Sequence, residues 1–235
     1  MKIKIINDLH IGAVRRGGTT PASREALRDW GLEEVDKLVH SCTSGPLIVL
    51  GDLFDTFVVT NRDWSAALEI FSKWLNNFDH PLVLVTGNHD WSPKGDALSS
   101  FHLLTDVLSR MYPERVRLVS GGVSQVMPSV YCVPHAPSQE VFELWLDSLN
   151  EVKDSFILLH ANCMNPFSEG SLHSLNVDEV ALRKLSKSNL VVFAHEHQFR
   201  EPIPNVVVIG NSVPSSVSDL MGCDHKYCLE IEIGK

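Results

Sequence analysis

Five times in this chain a short, mainly apolar run breaks off into residues of metal-binding type. Leu82 to Val85 ends in Thr86-Gly87-Asn88-His89-Asp90, and Met1 to Ile6 ends in Asn7-Asp8-Leu9-His10. Leu47 to Leu50 ends in Gly51-Asp52, Phe156 to Leu159 in His160, and Leu190 to Phe193 in Ala194-His195-Glu196-His197. Four apolar residues in a row with β-branched content have the length of a strand buried on both faces. Gly87 permits a turn that a side chain would resist, which lifts Asn88 and His89 off the strand end. Strand ends of open α/β sheets are where ligands usually sit. Asp8 and His10, two residues apart, share one face of an extended segment, and so do His195 and His197. Any one of these fragments alone is explained as well by a turn or an Asx motif. The repetition is what a turn does not explain.

Helical patterns separate these runs. Thr20-Pro21 reads as a helix cap with proline in the first turn. The stripe Leu27, Trp30, Val35, Leu38 and Val39 continues it to about Ser41. Trp64, Ala67, Leu68, Phe71 and Leu75 mark a second amphipathic helix from near Asn61. Both stripes read as core positions. Phe101 to Met111 and Gln139 to Leu149 are two more helices. Short β-like pieces cover Val116 to Val119, Val123 to Met127 and Val130 to Val133. Val206 to Ile209 ends in Gly210-Asn211-Ser212, which lacks metal-type residues. The last strand, Tyr227 to Ile233, alternates apolar and acidic residues and predicts one buried and one wet face.

Composition narrows the class. At 235 residues, 44% hydrophobic and 21% charged, the chain reads as one globular domain over residues 1–235. A net charge of −9 argues against a broad basic face for wrapping nucleic acid. It leaves room for a local basic lip, for which Arg15 and Arg16 in the loop after His10 are the candidates, since arginine grips phosphate as a fork. The five cysteines form no C-x-x-C pair and predict reduced thiols in a cytoplasmic protein. No run has the length of a membrane span, and no signal peptide fits the first residues.

The rim residues Asp8, His10, Asp52, Asn88, His89, His160, His195 and His197 suit two divalent cations. Mixed carboxylate and imidazole ligands favour manganese, iron, zinc or cobalt over magnesium or calcium. A carboxylate from the middle of the set can bridge two ions, which together activate water and clamp the oxygens of a displacement at phosphorus. The leaving oxygen then needs a proton, and His89 has the chemistry to give it. His135, in Pro134-His135-Ala136-Pro137, reads either as a site residue or as an ordinary loop histidine.

D-x-H, G-D, G-N-H-D, a separate His and H-x-H, in this order over residues 8 to 197, resemble the calcineurin-like metallophosphoesterase superfamily. The resemblance implies an α/β (α+β) fold, a two-sheet β-sandwich core flanked by helices. It implies one metal held by Asp8, His10, Asp52 and His197. The second would be held by Asp52, Asn88, His160 and His195, with Asp52 bridging. It gives His89 the role of general acid and Asp90 that of orienting His89. Ala194 stands where the superfamily usually has glycine. GDLFD, GNHD and AHEH resemble more narrowly the manganese-dependent Mre11/SbcD-like DNA repair nucleases and short phage-encoded phosphoesterases. That likeness implies a nuclease, with Arg15, Arg16, Lys94 and Arg200 along the DNA path. A phosphoesterase for a small or cyclic nucleotide is the alternative, with His135 and His173 near its pocket. A non-catalytic scaffold on the same fold predicts missing ligands, and none is missing. Such nucleases also carry a capping domain and a segment for a Rad50/SbcC-like ATPase; neither is evident in this sequence. The oligomeric state stays open, a homodimer included.

Overall fold

The structure, a computed structural model, describes residues 1–13, 20–91, 98–165, 174–216, 219, 226 and 228–234. Arg15, Arg16, Lys94 and His173 lie outside the described residues.

The chain first alternates strand and helix: β1 (Lys2–Ile6), α1 (Pro21–Ser41), β2 (Leu47–Leu50), α2 (Asn61–Asn77), β3 (Leu82–Val85), α3 (Ser100–Met111) and β4 (Val116–Val119). It continues through β5 (Ser124–Met127), β6 (Val130–Val133), α4 (Gln139–Asp147), β7 (Phe156–His160), β8 (Asn162–Cys163) and β9 (Asn176–Val177). It closes with α5 (Glu179–Ser186), β10 (Leu190–Ala194), β11 (Phe199–Arg200), β12 (Val206–Ile209) and β13 (Leu229–Glu232). Each helix begins on a side chain that accepts a backbone N–H: Thr20, Thr60, Ser99, Ser138 and Asp178. These caps satisfy donors that a helix start leaves open.

One sheet has the order β13-β1-β2-β3-β4 and the other β11-β12-β10-β7-β6-β5; β8 and β9 form a small pair. β1 to β4 run parallel, each joined to the next by a helix, as parallel neighbours require. In the second sheet β6, β7, β10 and β12 are parallel. β13 returns to the first sheet antiparallel to β1, with Ile3 opposite Ile231.

The period of two sorts every central strand into two cores. Ile3, Ile5, Ile48, Leu50, Val83 and Val85 meet Cys132, Leu158, Val192 and Ala194 between the sheets. The alternate residues Ile6, Leu47, Val49, Leu82 and Leu84 face the first three helices, where Val39, Phe71, Trp74 and Leu104 close the layer. On the far side Ile157, Leu159, Val191 and Phe193 pack with Phe142, Leu146, Leu182 and Leu185. The fold is therefore helices, sheet, sheet, helices, and burial on both faces explains the unbroken apolar runs.

Several expectations shift by a residue. Trp30 is 37% exposed rather than core; Gly31, Val35 and Val39 are the buried positions of α1. One step along a helix turns a side chain about 100°, so a stripe through Gly31 leaves the indole off it. In α2 the buried set is Ala67, Ile70, Phe71, Trp74 and Leu75, with Trp64 and Leu68 half-buried. The strands β8, β9 and β11 are two residues each, too short to carry a pattern. The last strand behaves as expected: Ile231 is buried, and Glu230 turns outward to pair with Lys2 and Lys4, each at 2.7 Å.

Phe71 is wholly buried, so Phe71→Ala should lower stability by about 3–5 kcal/mol, as large-to-small core changes do. Leu68→Ala should cost clearly less. Equal losses in chemical denaturation would overturn this placement of the stripe.

Candidate metal centre

Parallel pairing puts the C-terminal ends of β1, β2 and β3 on one edge of the first sheet. It does the same for β7, β10 and β12 in the second. Hydrogen bonds join the two edges. The His160 Nδ1 lies 3.0 Å from the Leu50 carbonyl. The His135 N–H donates to the Thr86 carbonyl at 2.9 Å, and the Ser212 N–H to that of Asn7 at 3.1 Å. All five ligand-bearing strand ends therefore converge.

The backbone there is strained. Asp8, His10, Asp52 and His195 have φ of 49°, 43°, 50° and 87°, a region that costs a non-glycine residue on the order of 1–3 kcal/mol. Pairing continued past the strands holds them: the Asp8 N–H bonds to the Gly51 carbonyl at 3.1 Å, and that of His10 to the Asp52 carbonyl at 3.1 Å. Gly51, at φ +81°, leaves no room for a Cβ, which would stand 2.0 Å from the His160 Nδ1. Gly87 differs from expectation. It is not among the residues of positive φ, so a special turn is not what it provides. A Cβ on it would stand 2.1 Å from the Asp52 Oδ1. Its role is to let the GNHD loop close on that carboxylate.

Three groups of ligand atoms form, each within 4.8 Å: Asp8 with His10 and His197, His10 with Asp52 and His89, and Asp52 with His160 and His195. The Asn88 Oδ1 lies 3.1 Å from the His160 Nε2, which adds a neutral oxygen to the third group. The Asp52 Oδ2 lies 3.3 Å from the His160 Nε2 and 3.9 Å from the His10 Nε2, so one carboxylate faces two clusters. The Asp8 Oδ1 is buried with no hydrogen-bond partner among the described residues, 4.0 Å from the Nε2 of both His10 and His197. A buried carboxylate oxygen without a donor is costly. A cation at that position would satisfy it, so the residues present fit a metal pair.

The far nitrogen of three rings is hydrogen-bonded, and that of a fourth, His10, lies near a carboxylate without hydrogen-bond geometry. His160 is held by Leu50. The His10 Nδ1 faces the Asp55 carboxylate at 3.2 Å, and the His89 Nδ1 the Asp55 carbonyl at 2.5 Å. The His197 Nδ1 faces the Asp219 Oδ1 at 3.2 Å. An Nδ1–H given to an acceptor leaves the Nε2 lone pair for a metal. Asp55 and Asp219 escape the sequence motif. Asp55 was visible in GDLFD; Asp219 had no local signal.

Asp90 is placed differently from expectation. His89 takes its ring partner from Asp55, while the Asp90 carboxylate accepts the N–H of Gly87 at 3.0 Å, Phe54 at 3.3 Å and Leu53 at 3.4 Å. It pins the GDLFD and GNHD loops together, so its link to His89 runs through backbone. Arg200 is committed to Glu196 at 2.8 Å and to the Cys163 carbonyl at 2.5 Å, which accounts for its guanidinium within the protein. His135 is 2% exposed, with its ring beside Trp91 at 5.6 Å between centroids, a buried loop residue rather than an exposed one.

Burial opposes any charge here, and the carboxylates win. Burial works against a proton on His10, but Asp55, Asp52 and Asp8 raise its pKa to about 9. His160 is likewise buried, yet Asp52 beside it raises it to about 9. His195 goes the other way, pushed down to about 4 by burial and then by the charge on His160. Burial and the charge of Asp52 lift Asp90 to about 7.

A model of the calcineurin-like phosphoesterase family matches residues 1–199. No curated relative matches the chain. Among solved structures, the TT1561 protein of Thermus thermophilus has 18% identity and a TM-score of 0.52, covering 89% of each chain. That likeness is one of fold. A dimetal phosphatase from Danio rerio matches at 14% identity and TM-score 0.47, covering 92% of this chain and 89% of its own. The nuclease MPE of Pseudomonas putida matches at 19% and 0.34, covering 68% and 61%. No helix among the described residues is long and apolar enough to cross a membrane.

In the metal-free protein His10 and His160, with pKa near 9, hold protons at pH 7 that a cation must displace. Metal affinity should therefore rise with pH up to about 9 and level off above it. Calorimetric titration in buffers of different ionisation enthalpy should show proton release at pH 7. Binding without proton release would contradict this charge state.

Proposed function

Because the chain belongs to the calcineurin-like phosphoesterase family, a family of metal-dependent hydrolases, we propose that it hydrolyses phosphodiester bonds of DNA with two divalent transition-metal ions, manganese by preference. The observation that carries the two-cation reading is Asp52, whose carboxylate belongs to two ligand groups at once. Asp8, His10, Asp52 and His197 would hold one ion; Asp52, Asn88, His160 and His195 would hold the other. When bound, such a pair would offset the charge of the phosphoryl oxygens and lower the pKa of water, making hydroxide available as the nucleophile. The choice of DNA rests on the likeness of GDLFD, GNHD and AHEH to the Mre11/SbcD-like nucleases.

His89 supplies the remaining proton. Its Nδ1 is engaged by the Asp55 carbonyl, and its Nε2 lies 4.0 Å from the Asp52 Oδ2, at the edge of the cluster. With a side chain 39% exposed, it is the most open residue of the cluster, ahead of His197 at 30%. The water oxygen bonds to phosphorus as its proton passes to solvent, the bond to the leaving oxygen breaks, and His89, acting as the imidazolium with its Nδ1–H on the Asp55 carbonyl, gives its Nε2 proton to that oxygen. The ring also offers charge to the transition state.

His89→Ala should keep both ions and slow turnover by roughly 10²–10⁴-fold, the usual worth of a general acid. A nitrophenolate leaving group needs little protonation and should be partly spared, while a DNA alkoxide should suffer most. Asp52→Ala should lose metal and activity together. The substrate test is a manganese-loaded panel of single- and double-stranded DNA, cyclic nucleotides and bis-p-nitrophenyl phosphate. DNA cleavage supports the proposal. Turnover of cyclic nucleotides with DNA untouched would replace it with a small-nucleotide phosphoesterase. Near-wild-type rates for His89→Ala on both diester types would remove the acid role.

A further inference from the structure

The last stretch of the chain reaches into the metal centre although it lies beyond the residues the family model matches. Asp219 is 8% exposed, and its two oxygens serve different masters. Oδ2 accepts the Ser215 N–H at 2.9 Å, the Ser215 hydroxyl at 2.8 Å, the Ser216 N–H at 3.0 Å and the Asn211 amide at 3.0 Å. These four bonds fold the segment after β12 on itself. Oδ1 faces the His197 Nδ1 at 3.2 Å. The loop needs only the first oxygen. The second is spent on a ring whose other nitrogen lies 3.2 Å from the His10 Nε2 and 4.0 Å from the unpartnered Asp8 Oδ1.

We propose that Asp219 is a positioning residue for the metal centre. By accepting the His197 Nδ1–H it fixes the ring with the Nε2 lone pair turned toward Asp8 and His10, and so governs one cation position and not the other. The chemistry is that of an imidazole whose far nitrogen is tied to a carboxylate, which sets both its tautomer and its basicity as a ligand. The asymmetry follows from the partners. His160, in the other cluster, takes its Nδ1 partner from the Leu50 carbonyl, a backbone atom that no substitution at Asp219 removes. The same segment steadies the neighbouring ligand: the Asn7 amide bridges the Asp8 carboxylate and the Gly210 carbonyl, and the Ser212 hydroxyl accepts the Asn7 N–H at 3.0 Å. Lys226 adds a bond from its ammonium to the Asn211 Oδ1 at 2.5 Å.

Asp219→Asn separates the two duties. Its carbonyl can take over the loop bonds, while its NH₂ then donates to the His197 Nδ1 and drives the ring proton to Nε2. The proposal rests on the two-cation reading for its functional consequence but not for the tautomer itself. ¹⁵N shifts of the His197 ring in the metal-free protein should show Nδ1–H in the wild type and Nε2–H in Asp219→Asn. Titration with manganese should show one of two positions weakened about 10–100-fold, the usual worth of such a partner, and the other unchanged. The melting temperature should stay close to wild type. A wild-type ring protonated on Nε2, or a ring unaltered in Asp219→Asn, overturns the proposal, and so does equal weakening of both positions. A wild type that binds one cation alone would instead overturn the two-cation reading, with the tautomer still deciding the part of Asp219.

Discussion

A carboxylate with nearly all of its surface removed from water stays charged only where positive charge surrounds it. Asp52 is 1% exposed, and burial works to neutralise it; His160, His10 and His89 outweigh that and hold its pKa below the ordinary range. The rest of the centre is arranged around this one group. Gly87 and Gly51 have no side chain because Asp52 and His160 occupy the space. The His89 N–H donates to the Asp52 Oδ1 at 2.9 Å, which fixes where the acid of the GNHD loop stands. Without cations His10 and His160 carry the balancing protons, and with cations they would carry lone pairs. The same cluster thus suits either inventory of charge, and the strain stored at Asp8, Asp52 and His195 is held by the sheets behind it.

Much of this was legible in the order of residues. Apolar runs of four have no other comfortable home than a strand between two layers, and where five of the runs stop, ligand-type residues begin. The first metal ligand of every cluster could be read that way. What could not be read was set by distance along the chain. Asp219 meets His197 across an irregular segment with no periodicity to follow. The family likeness gives Asp90 the part of orienting His89, yet its carboxylate meets backbone N–H groups 36 and 37 residues away in sequence. Arg200, a candidate for the DNA path, instead sets its guanidinium on Glu196, the residue between the two histidines of the H-x-H motif. Trp30 failed for a simpler reason: a single step of phase decides which neighbour of a helix stripe is inside, and Gly31 gave no hydrophobic signal to correct it.

The two sheets contribute unequal kinds of precision. The first brings Asp8, His10, Asp52 and Asn88 from neighbouring parallel strands, with ladder bonds prolonged past the strand ends. The second brings three histidines from β7 and from the turn after β10. The mixed ligands of the first side and the imidazoles of the second must meet to within about 0.5 Å. The bond from His160 to Leu50 across the seam is one of the contacts that sets this spacing.

The clasp between residue 7 and residues 210–212 also fixes an order of events during synthesis. Strands β1 to β3 leave the ribosome long before the segment that steadies Asp8 and His197. Until that segment arrives, the Asn7 amide lacks its Gly210 acceptor and the His197 ring lacks Asp219. Closing so long a loop comes late for entropic reasons as well. The centre is thereby completed only after the second sheet and the segment following β12 have joined the first.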